Sequence, residues 1–144
     1  MCMAMVVART DGERLCISSA GMPPALLHRA SSGDVEELLL PGVPLGALAS
    51  PHYDELEADL EPGDTLVLMS DGLAETLDPS GEPLGFDRAR TLVAEAAGAG
   101  PEPEEVIRRL MEAADAWRGG AELHDDVTVL VLRVRGPARW AEGD

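Results

Sequence analysis

The chain has 144 residues, 45% of them hydrophobic, which is one domain's worth and enough to bury a core. Acidic residues outnumber basic ones 27 to 11, every basic residue is an arginine, and the net charge of -16 repels nucleic acid and anionic membranes while attracting divalent cations. Two cysteines, Cys2 and Cys16, do not make a secreted disulfide framework, and no apolar run approaches the roughly 20 residues that span a bilayer.

Met1 to Ala8 is apolar but lacks a basic start and runs into Arg9-Thr10-Asp11-Gly12, so it reads as a strand from Met3 and not as a signal peptide. A soluble cytoplasmic protein is expected. Arg14 to Ser19 reads as the returning strand of a hairpin, across which the two cysteines could face each other, although reduced core thiols fit better. A domain that opens on a strand this abruptly suggests a segment upstream or one supplied by a partner. The prolines at 23 and 24 interrupt the pattern before a second hairpin, Ala25 to Arg29 and Val35 to Leu40, in which His28 reads as a solvated strand residue. Pro41 to Pro51 is a loop, and His52 to Leu60 is an acidic edge strand whose charges discourage pairing with another chain.

Pro62-Gly63-Asp64 then turns into Thr65 to Met69, a nearly continuous apolar run of the kind that is covered on both faces. The run ends on Ser70-Asp71-Gly72, where glycine lets the backbone turn sharply and a ligand come close. Leu73 to Leu77 suits a short helical turn and residues 78 to 83 a loop. Phe86, Ala89, Leu92, Val93 and Ala96 make one helical stripe, ending at Gly98; Val106, Leu110, Ala113, Ala114 and Trp117 make a second, behind an acidic first turn and stopped by Gly119-Gly120. Both helices read as cover for a sheet.

The last strand, Val127 to Val134, is preceded by His124-Asp125-Asp126. If it pairs antiparallel with Thr65 to Met69, the end of one lies beside the start of the other, and Asp71 and Asp125 converge at one rim. Adjacent carboxylates repel unless they are solvated or neutralised, and hard divalent cations prefer oxygen ligands. The chemistry implied is metal-assisted.

These segments resemble the metal-dependent protein phosphatases (PPM) of the bacterial sporulation stage II E type. The resemblance rests on Pro-Gly-Asp with its strand, Ser-Asp-Gly-Leu-Ala-Glu, and the late Asp-Asp-Val-Thr. It also rests on Ser19-Ala20-Gly21-Met22-Pro23-Pro24 and Gly42-Val43-Pro44-Leu45-Gly46, and covers about residues 3 to 135. It departs in two places: Met22 stands where the family usually has histidine, and the family's early Asp-x-x-Gly motif has no counterpart.

The fold implied is α+β, an antiparallel β-sandwich flanked by helices and N-terminally incomplete, over residues 1–135, with 136–144 a flexible tail. The resemblance makes Asp71 and Asp125 metal ligands for Mg²⁺ or Mn²⁺, two ions in the family. Gly72 gives close approach, Asp126 holds the turn, and Glu75 lies at the surface or behind the ligands. The implied activity is hydrolysis of phosphoserine or phosphothreonine on a regulatory protein of anti-anti-sigma type, with an upstream sensor domain or a second subunit as a further partner. The alternative is a catalytically impaired phosphatase-like module that acts as a regulatory binding domain.

Overall fold

A computed structural model describes residues 1–100 and 102–136; Pro101 and all but the first residue of the expected tail lie outside the described residues. Among the described residues nine elements follow one another: β1 (Met5–Thr10), β2 (Arg14–Ala20), β3 (Ala25–His28), β4 (Val35–Leu38), β5 (Glu55–Asp59), β6 (Thr65–Met69), α1 (Phe86–Ala99), α2 (Pro103–Arg118) and β7 (Val129–Arg133). The strands form two antiparallel sheets, ordered β1-β2-β5 and β4-β3-β6-β7.

Alternation along the strands builds two cores, one on each face of the four-stranded sheet. Leu27 and Leu66 meet Leu15 and Ile17 of the three-stranded sheet in the sandwich interior. Leu26, Val67 and Met69 point the other way, against Ala89, Val93 and Ala96 of α1 and Val106, Leu110 and Ala114 of α2. β6 is therefore covered on both faces, which is why it reads as an unbroken apolar run. β5 is the acidic edge strand, with only Leu56 and Ala58 turned toward the core. The sandwich is open at β1, where Val6 is half-buried and the other five residues are exposed.

Several sequence expectations are corrected. α1 runs through Gly98 to Ala99, and Phe86 at its start is exposed and does not join the buried stripe. Neither cysteine is a core thiol: Cys2 is exposed, and Cys16 is half-buried, on the opposite face of β2 from Leu15 and Ile17. Both are free. His28 is not solvated; it is 5% exposed, on the same face of β3 as Leu26, with Nε2 near Gly98 of α1.

The largest correction concerns Asp64, expected in the turn of an acidic edge but 0% exposed. Its Oδ1 accepts from Ala30 N at 3.0 Å, and its Oδ2 accepts from Glu61 N at 3.0 Å and from Arg29 Nη1 at 2.9 Å. Arg29 also donates to the Asp59 carbonyl at 2.7 Å and holds Glu36 through two further hydrogen bonds. The backbone closes the same knot: Gly63 N donates to Val134 O, and Val134 N to Asp64 O. Gly63 takes φ 96°, and a Cβ there would meet Ala30 Cβ at 2.9 Å, so the turn needs glycine twice over.

Burial by itself pushes the Asp64 carboxyl up, but the hydrogen bonds from Ala30, Glu61 and Arg29 outweigh it and hold the group below its ordinary 3.8. Replacing Asp64 by alanine strands two backbone N–H groups and a half of the Arg29 fork. Asp64→Ala should lower unfolding free energy by about 3 kcal/mol, measured by urea denaturation at pH 7.

His28 shifts downward from 6.5, first because burial disfavours the imidazolium and then because of the Arg133 charge, with Asp64 opposing. The unfolded chain thus takes up a proton that the folded ring refuses, and the stability associated with neutral His28 is present above about pH 6.5 and lost as pH falls below it. Asp64 adds a separate loss at lower pH, below its unfolded value of 3.8. Urea titrations at pH 7.5, 6.5 and 5.5 should show stability falling with pH, and His28→Gln should flatten that slope.

Candidate metal centre

The site lies where β6 runs out. β6 and β7 pair antiparallel with Met69 opposite Val129 and Thr65 opposite Arg133, which brings the residues after Met69 beside those before Val129. The ladder continues for one step: Ser70 N donates to Thr128 O at 2.9 Å, Thr128 N donates to Ser70 Oγ at 3.0 Å, and Ser70 Oγ donates to Asp126 O at 3.3 Å. The sequence reading takes Ser70 only as part of the Ser-Asp-Gly turn and gives it no role of its own. Its only signal was a hydroxyl at the end of a strand, and what it does depends on a segment 56 residues later.

Beyond Ser70 the chain closes a single turn, with Glu75 N donating to Asp71 O at 2.9 Å. The i to i+4 spacing puts Asp71 and Glu75 on one side of that turn. Across from them Asp125 sits just ahead of Asp126, whose N–H donates to Asp125 Oδ1 at 2.8 Å. One carboxylate oxygen from each of Asp71, Glu75 and Asp125 lies within 4.8 Å of the other two, and all three residues are exposed.

The structure thus brings together Asp71 and Asp125, and it adds Glu75, which the sequence placed at the surface or behind them. Asp126 does not join the cluster; its backbone forms the turn. Gly72 grants a close approach, but to the chain itself: a Cβ there would stand 2.2 Å from Asp126 O and 3.0 Å from the Asp126 carbonyl carbon.

Two unit charges 4.8 Å apart repel by about 1 kcal/mol in bulk water and by about 3.5 kcal/mol at an effective dielectric of about 20. Exposure keeps the cluster near the lower figure, so it stands without a counter-charge. Its donor set is all oxygen and all anionic, which suits a hard divalent cation such as Mg²⁺ or Mn²⁺ and does not suit a thiophilic metal.

The family model for Stage II sporulation protein E (SpoIIE) matches residues 1–135. The phosphoserine phosphatase RsbU of Bacillus subtilis (strain 168) is 27% identical over 124 residues, which is 85% of this chain and 36% of RsbU. Among solved structures, the SiaA-PP2C domain of Pseudomonas aeruginosa has a TM-score of 0.72 at 23% identity, over 90% of this chain and 50% of that one. The phosphatase domain of the cell fate determinant SpoIIE from Bacillus subtilis has a TM-score of 0.68 at 20% identity, over 93% and 59%. The chain therefore spans about a third of the curated relative and between half and three fifths of the solved domains. At these identities the solved structures speak for the fold.

Because Gly72 touches backbone that cannot yield without moving Asp125, Gly72→Ala should lower stability by about 1–3 kcal/mol, checked by thermal unfolding.

Proposed function

The chain belongs to the stage II sporulation protein E (SpoIIE) family, and its relatives are serine phosphatases of PP2C type; from that premise we propose that it serves the metal-dependent hydrolysis of phosphoserine or phosphothreonine on a regulatory protein. The observation that carries the reading is the convergence of Asp71, Glu75 and Asp125 at the end of the β6–β7 pair. Asp71 and Asp125 would hold Mg²⁺ or Mn²⁺, with Glu75 beside them. When bound, such ions lower the pKa of a coordinated water and neutralise charge on a phosphoryl group.

The chain's own residues have separate tasks. Asp71 and Glu75 present their oxygens from one turn, so the spacing between them is set locally. Asp125 comes from a distant segment, so its position depends on Ser70 and on the Gly72–Asp126 contact. A cation is also what makes an anionic substrate compatible with a rim of three carboxylates and a chain of charge -16. The substrate we propose is a phosphorylated regulator of anti-anti-sigma type, a reading supported by the likeness to a phosphoserine phosphatase.

One observation favours a second reading, a binding module without turnover. Among the described residues no carboxylate ahead of Asp71 joins the cluster, and a two-metal site holds its ions about 3.5–4 Å apart through shared ligands.

Calorimetric titration of the chain with Mn²⁺ should give a binding signal that Asp71→Asn removes and Glu75→Gln weakens; an unchanged titration in Asp71→Asn would end the metal assignment. The same samples decide between the two readings. The 144-residue chain with Mn²⁺ is expected to release phosphate from a phosphoserine peptide slowly or not at all, and turnover near about 1 s⁻¹ would rule out the module without turnover.

A further inference from the structure

Beside the three carboxylates the rim opens into a cleft of about 430 Å³ that shares Glu75 and Asp125 with the cluster. The rest of its lining is mixed: Leu77, Pro83 and Leu123 give it an apolar side, and Gly72, Thr76 and His124 complete it. Leu123 is 51% exposed, on an irregular segment two residues before Asp125. A singly exposed leucine is ordinary on a protein surface; what sets Leu123 apart is its place in one cleft with Leu77 and Pro83, beside Asp125.

The opposite wall is built before any ligand arrives. Leu77 and Pro83 form an isolated antiparallel bridge that closes the loop between them. Within that loop Asp78 Oδ1 accepts from Ser80 N at 2.8 Å, Ser80 Oγ at 2.7 Å and Glu82 N at 2.8 Å. Leu84 N donates to Thr76 O at 2.8 Å, and Thr76 Oγ1 donates to Gly72 O at 2.9 Å, which fastens the loop to the turn carrying Asp71 and Glu75. Trp117 Nε1 donates to Glu82 O at 3.2 Å and ties the same loop to α2. A wall tied at this many points costs little to organise on binding.

We infer that this cleft is a specificity subsite that takes a branched apolar side chain, of the leucine or isoleucine kind, immediately flanking the phosphorylated serine of the substrate protein. The inference rests on the proposed function. A phosphoseryl side chain that reaches Asp71, Glu75 and Asp125 carries its own backbone along the rim, and the next side chain then falls between Leu123 and the Leu77–Pro83 wall. The cleft's volume is in the lower part of the range of small-ligand pockets, which suits one or two side chains better than a folded element. Burying an apolar group there also supplies affinity that charge cannot, since the rim and the substrate phosphate are both anionic.

The test uses the full chain in Mn²⁺ and two fluorescent peptides carrying a non-hydrolysable phosphonate analogue of phosphoserine, one with leucine on both sides and one with glycine. Anisotropy titration should show the leucine peptide binding about tenfold tighter, the factor expected for partial burial of a leucine side chain. Leu123→Ser should abolish the preference while retaining the wild-type circular dichroism, since the side chain it changes is exposed. Equal affinities for the two peptides, with Mn²⁺ binding that depends on Asp71, would overturn the cleft assignment and leave the metal reading standing. A preference that survives Leu123→Ser would overturn it as well. Mn²⁺ binding indifferent to Asp71→Asn would overturn the proposed function and this inference with it.

Discussion

The structure depends on one buried carboxylate. Asp64 stands at the entrance of β6 and satisfies Ala30 N, Glu61 N and Arg29 at once, while Arg29 in turn reaches the end of β5 and Glu36 in β4. A single anion therefore joins the start of β6 to the β3–β4 hairpin and to the end of β5, and the neighbouring backbone bonds to Val134 add β7. Buried ion pairs contribute little net stability when compared with apolar replacements, but breaking one is costly, so such a knot sets geometry more than it adds stability. Here the geometry it sets is the registration of β6, and everything at the other end of β6 inherits that registration.

The other end carries the opposite kind of acid. Asp64 is buried and paired with Arg29, whereas Asp71, Glu75 and Asp125 are exposed and, among the described residues, paired with no cation. The two environments assign the roles: a carboxylate whose two oxygens both accept hydrogen bonds from the fold is a structural anchor, and carboxylates held together against their repulsion have coordination capacity to spare. The cluster is held by backbone. Ser70 makes three hydrogen bonds to the segment after Asp125, two of them through its hydroxyl, and the absence of a side chain at Gly72 lets Asp126 come within contact. Neither residue belongs to the carboxylate cluster, yet both decide where Asp125 sits.

Much of this was legible along the chain. The hairpin at Asp11-Gly12, the doubly covered strand at 65–69, the two helices with their buried stripes and the meeting of Asp71 with Asp125 all follow from local signals. Period, turn chemistry and antiparallel pairing act over short distances or through one pairing step. Glu75 was placed beside the site and not in it because the single turn beginning at Asp71 is too short for a periodic signal. His28 and Asp64 were misread together, since a histidine and an aspartate are most often exposed, and only the packing of α1 over β3 and the convergence of Arg29 reverse that expectation.

What the sequence determined by itself, then, is the set of strands and helices, the family, and the two acids that flank paired strands, because each of these is written in residues near one another or in one pairing of β6 with β7. What only the tertiary structure decided is which acids are anchors and which are open, that Ser70 and Gly72 position Asp125, and that Leu123 faces the Leu77–Pro83 wall across a cleft. These depend on burial and on contacts between segments some 40 to 56 residues apart, and no local pattern records how deeply a polar group will be buried or what will be packed against it.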